Sequence, residues 1–146
     1  AEVVYRGRAS GMDGQTVYIQ TANQIVYKAD AEPVAAEGVA TFDPTMGMVP
    51  AVLGLQVKSI IQPDANAGLL DVKSQVCDVA FENYAVTAKG KPPATTEIQV
   101  PRSCVQRFQA TVHLPLDTDV LIGGMSTPNQ PGGQTLYLVV RVSVSK

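Results

Sequence analysis

The run "VQRFQATVHL" (residues 105–114) constrains the fold more than any other stretch. Phe108, Ala110, Val112 and Leu114 alternate with Arg107, Gln109, Thr111 and His113. Successive side chains of a strand point to opposite faces, so this period of two marks a strand with one dry face and one wet face. The closing run "QTLYLVVRVSVSK" repeats the pattern, with Leu136, Leu138, Val140, Val142 and Val144 opposed to Tyr137, Val139, Arg141, Ser143 and Ser145. "GQTVYIQTANQIVYKAD" sets Val17, Ile19 and Thr21 against Tyr18 and Gln20, then resumes at Ile25 and Tyr27, which reads as two strands or one bent strand. Valine, isoleucine, threonine and tyrosine dominate these runs, proline and glycine punctuate them, and no helical period is sustained. The sequence predicts an all-β chain.

"GLQVKSIIQP" and "GLLDVKSQVCDVAF" flank "DANA", where Asp and Asn suit a turn, and so form a hairpin. Residues 31–53 carry three prolines, two glycines and two methionines without a period and form a long excursion. Residues 82–103 form a second one, with "KGKPP" at an exposed tip. The expectation is an antiparallel meander of about seven to nine strands with two long hairpin-like excursions. A chain of 146 residues fits one domain, 1–146.

Several function classes are disfavoured. A net charge of −2 with scattered lysines and arginines gives no patch for nucleic acid. No apolar run approaches the length of a transmembrane helix, which leaves a β-barrel open. No cofactor motif is present. The Gly-Gly pairs at 123 and 132 precede no helix, so they read as close backbone approach and a tight turn, not a phosphate loop. One histidine and two cysteines without CxxC spacing are too few ligands for structural zinc. His113 has no serine on a nucleophile elbow to serve, and Asp117 with Asp119 reads as a solvated turn before a calcium site, so no catalytic residue is assigned. Cys77 and Cys104 leave two readings open: buried thiols, or a disulfide closing a loop of about 27 residues and worth about 3–4 kcal/mol. The opening "AEVVYRGR" reads as a processed N-terminus or a fragment boundary.

Taken in order, "GQTVYIQTANQIVY", "GLQVKSIIQPDANAGLLDVKSQV", "FQATVHLPLDTDVLIGGM" and "LYLVVRVSVSK" resemble the secretin domain, the C-terminal β-module of outer-membrane secretion and pilus channels. The resemblance spans nearly the whole chain. It implies strands contributed to a multi-subunit barrel, with residues 31–53 and 81–103 as gate hairpins and Met46, Met48, Lys89 and Lys91 on them. Ala22, Val26, Ile61 and Asp117 depart from the family pattern. "STPNQPGGQ" stands where the family has a longer membrane-lip segment, and the periplasmic ring domains are missing. With no Trp and 5% aromatic residues, insertion in the usual manner is not expected, and membrane association is left open.

The terminal run is long and apolar and carries one charge before its final lysine, so its edge, at Leu136, Leu138, Val140 and Val142, lacks the protection that soluble edge strands carry. Pairing with the opposite edge of another copy would be head to tail, closing as a ring or running on as a filament. Met46 and Met48 suit a core gap, a subunit contact or a flexible constriction. The function expected is a non-enzymatic subunit of a homo-oligomeric ring, a pore wall or collar in the cell envelope used for protein secretion or transport. A capsid-like surface subunit and a monomeric β-sandwich binding module are the alternatives, and an extracellular location is the alternative to the periplasm or outer membrane.

Overall fold

The computed structural model of the chain describes residues 2, 3, 5–36, 39–90, 92–127 and 134–145. It is all-β, with an antiparallel four-stranded meander and a separate two-stranded sheet. The meander runs β1 (Thr16–Ala36), β2 (Val39–Gln62), β3 (Ala67–Ala88) and β4 (Ala94–Pro115) in sequence order, and β5 (Val120–Thr127) pairs with β6 (Gln134–Val140). Among the described residues the expected seven to nine strands are six, because both excursions are continuations of strands already begun. β1 stays one strand past Ala22 and Asn23, and absorbs its irregularity as a register shift between Lys28 and Asp30. A bulge of this kind bends a strand without ending it. Asp30 Oδ1 accepts the Ala31 N–H there at 2.7 Å.

β2, at 24 residues, spans about 80 Å at the usual rise, several times the length of an ordinary strand. β1 pairs with β2 from Thr16↔Lys58 out to Ala36↔Val39, and β3 with β4 from Ala67↔Pro115 out to Ala88↔Ala94. β2 and β3 share a much shorter register, from Gln62↔Ala67 to Val52↔Cys77. Two long hairpins are therefore joined along one half only. Their common half is a four-stranded base, and beyond Val52 and Cys77 the hairpins continue as two arms.

Chain turns at the base follow local chemistry. Pro63–Ala65 forms a single 3-10 turn, closed by Asn66 in the left-handed region at φ 47°. Asp117 takes the same region at φ 58° and donates its N–H to Val142 O at 2.8 Å, tying the β4–β5 turn to the C-terminal tail. Ahead of β1, Gly14 N–H donates to Ser59 O at 2.7 Å and Asp13 Oδ1 accepts the Ile61 N–H at 2.8 Å. These two bonds cover the edge of β2 where β1 has not yet begun.

The register assigns each base residue to a face. Val17, Leu55, Val57, Leu70, Val72, Phe108, Val112 and Leu114 share one face, and the β5–β6 hairpin lies over it, so that Leu70, Val72 and Leu114 are fully buried beneath Val120, Ile122, Leu138 and Val140. A β-carbon at Gly123 would run into the Phe108 ring, so any larger residue there would have to displace that ring.

Leu69 and Leu70 are chain neighbours on opposite faces, 37% and 1% exposed. Leu70→Ala should lower stability by about 3 kcal/mol, and Leu69→Ala by less than about 1 kcal/mol, in paired urea melts. Equal losses would mean that the face assignment is wrong.

Candidate functional site

Three features stand apart from the core: the open sheet edges, the paired arms and the uncovered face of the base. Among the described residues β1 and β4 each have a single hydrogen-bonded neighbour, as do β5 and β6. The terminal strand, expected to offer an open apolar edge to another copy, lies with its apolar side chains on the chain's own core. Its side chains are divided: Leu136, Leu138, Val140 and Val142 are half-buried, the last three of them against the protein's own core, while Tyr137 and Val139 face outward at 64% and 57% exposure. Sequence reasoning missed the longer edges of β1 and β4, because the excursions hid the continuity of these strands.

The arms meet. Tyr27 of β1 stacks obliquely on Phe81 of β3, with ring centroids 5.5 Å apart. Lys28 donates from Nζ to Thr96 Oγ1 at 2.7 Å and from its backbone N–H to Gln99 Oε1 at 3.3 Å, fastening the bulge of one arm to the strand of the other. Gly90, at one tip, packs on Ala40 of the other arm. Met46 and Met48 lie on the outer side of β2 at 58% and 66% exposure, so they do not fill a core gap. Both belong to rungs whose partners are Lys28 and Val26. Lys89 is exposed next to the second tip, and Lys91 lies outside the described residues.

Cys77 and Cys104 are free. Cys77 pairs with Val105 and Cys104 with Asp78, so the two thiols sit one register step apart and point to opposite faces. The disulfide that their spacing left open does not form in this fold.

The uncovered face of the base carries Tyr18, Gln56, Lys73, Gln75, Arg107 and Gln109 around a shallow cavity of about 440 Å³. Arg107 donates from Nε to Gln75 Oε1 at 3.2 Å, and Thr111 donates to Asp71 Oδ1 at 3.2 Å. His113 Nε2 lies 2.9 Å from Gln62 Oε1 on the same face, with no carboxylate in that pairing. Among the described residues no group of three or more His, Cys, Asp or Glu side chains could hold a metal ion. Asp117 and Asp119 remain an exposed turn.

On the β3–β4 arm, Glu82 forms an ion pair with Arg102 at 2.6 Å and accepts the Tyr84 hydroxyl at 2.8 Å. The hydrogen bond to this carboxylate, and then its charge, raise the Tyr84 pKa above the ordinary phenol value. The stabilising bond is therefore fully present below the ordinary phenol range and is lost as pH climbs through the raised value. Glu82→Gln should bring the Tyr84 transition down in a spectrophotometric titration, with Tyr84→Phe identifying which transition belongs to it. An unmoved curve would show that the contact does not persist in solution.

Compared with protein-family models, characterised proteins and solved structures, the chain matches none.

Proposed function

We propose that this chain is a secretin-like, non-enzymatic subunit of a homo-oligomeric ring that forms a pore wall or collar in the cell envelope, serving secretion or transport. The observation that carries the reading is surface area. The single chain exposes 10202 Å², whereas a compact monomer of its 15.4 kDa mass exposes about 7,200 Å². The excess of about 3,000 Å², divided between two flanks, is about 1,500 Å² on each, which is the size of an obligate subunit interface.

The edges supply the bonding. Long strands with unpaired N–H and C=O groups are templates for another chain, and neither β1 nor β4 is shortened to prevent it. Joining the β1 edge of one copy to the β4 edge of the next is head to tail and can close with a fixed rotation per subunit. The base then contributes four strands to a common wall. The arms, bound to one another through Tyr27, Phe81 and Lys28, act as the gate positions. The order of sequence motifs supports the same architecture. Exposed Val26, Met46 and Met48 on the arm give neighbouring arms an adaptable apolar contact.

Val105 stands on the β4 edge strand, 49% exposed, where a lysine leaves the subunit's own core intact. Val105→Lys should convert the assembly to smaller species by light scattering while far-ultraviolet circular dichroism stays unchanged. An unaltered particle size would remove β4 from the interface. Replacing residues 84–98 by Asn-Gly, so that the paired Asn83 and Gln99 are joined by a tight turn, should keep the ring and widen its opening in projection images. Loss of the ring would make that arm part of the wall.

A further inference from the structure

The uncovered face of the base has a charge distribution that the ring alone does not explain. Four charged side chains lie on it: Lys58, Lys73 and Arg107 are positive and Asp71 is negative. The face thus carries a net +2 within a chain whose overall charge is −2. Asp71 sits directly across the ladder from Lys58 and takes the Thr111 hydroxyl, so it is spent as the counter-charge to Lys58. Arg107 has no acid opposite it or two residues along its strand, and Lys73 has only Asp71, two residues along its own strand and shared with Lys58. The Lys73↔Gln109 and Gln75↔Arg107 rungs make the two cations diagonal neighbours on adjacent strands, about 7 Å apart at the backbone. Like charges held this close on one sheet face repel unless something neutralises them.

What surrounds the pair is built to receive a ligand. Gln75 accepts from Arg107 Nε at 3.2 Å, which orients the guanidinium, and its terminal N–H groups have no hydrogen-bond partner among the described residues. A fixed guanidinium matches a carboxylate or phosphate through two parallel hydrogen bonds, and a nearby ammonium adds a point charge. Gln56 and Gln109 flank Lys73 on its rung and supply amide donors and acceptors, while Tyr18, 72% exposed, closes the side of the cavity. The depression is shallow and open, so a ligand would lie on the face and be held by the cations rather than by enclosure.

We infer that Lys73 and Arg107, oriented by Gln75 and flanked by Gln56 and Gln109, form a binding site for a small multivalent oxyanion, a compound bearing two or more carboxylate or phosphate groups. The site lies within one subunit, so it stands whether or not the ring does. In a ring it would recur once per copy.

The test is calorimetric titration of the full chain with citrate and with pyrophosphate at low ionic strength. Saturable binding is expected, weakened at least tenfold by Lys73→Gln and by Arg107→Gln and restored by Lys73→Arg. Gln75→Leu, which changes no charge, should also weaken binding by freeing the guanidinium. Lys89→Gln, on the arm, should leave binding unchanged. Equal affinity in Lys73→Gln and Arg107→Gln would overturn the assignment, as would equal loss in Lys89→Gln, which would mean non-specific charge attraction. Binding of a poly-glutamate chain with none of citrate or pyrophosphate would overturn it in favour of an acidic polypeptide partner.

Discussion

The short ladder between β2 and β3 is the constraint on which the rest of the structure depends. It ends at Val52↔Cys77, while the flanking β1–β2 and β3–β4 ladders run on past it. That difference in length divides one sheet into a base and two arms. Hydrogen bonds that would have continued between β2 and β3 give way to side-chain contacts between the arms, among them the Tyr27–Phe81 ring contact, two polar contacts of Lys28 and Gly90 on Ala40. These contacts are few and partly exposed, so the arms are held to one another less firmly than the strands within each arm.

The same division keeps the core small. The largest buried side chains among the described residues lie in the base, where Leu70, Val72 and Leu114 sit under the β5–β6 hairpin, while the arms bury only small residues such as Ala31 and Ala88. Extended arms bury little of their own surface, and their outward Val26, Met46 and Met48 stay in contact with water. Burial of apolar area is the main favourable term in folding. In the proposed assembly, covering this exposed area would add to the stability of the subunit.

Much of this was legible in the sequence because period-two alternation reports faces directly. Phe108, Val112 and Leu114 lie on the dry face and Arg107, Gln109 and His113 on the wet one, as "VQRFQATVHL" predicts. The glycine at 123 marks a close approach, and Asp117 tolerates the left-handed region. Strand length was not legible. Prolines at 33, 44 and 50 read as interruptions, yet β1 and β2 carry them within a paired ladder. Each of these strands is an edge strand along the arm, where a missing N–H need not break a bond. The cysteine relation also escaped sequence reasoning, since loop length is blind to the single register step that separates faces. The Lys73–Arg107 pair was invisible for a similar reason. These residues lie far apart in the chain, and only the β3–β4 register makes them neighbours.

The most direct measurement of whether neighbouring copies complete the sheet is amide hydrogen exchange, resolved residue by residue along residues 16–22 of β1 and 105–115 of β4. In an isolated edge strand every second amide points to solvent and exchanges fast, while its neighbours are protected by the internal ladder. The account predicts continuous protection along both stretches, with the outward amides as slow as the inward ones. Alternating fast and slow exchange on β1 and β4 would contradict it, because those edges would then be free in solution.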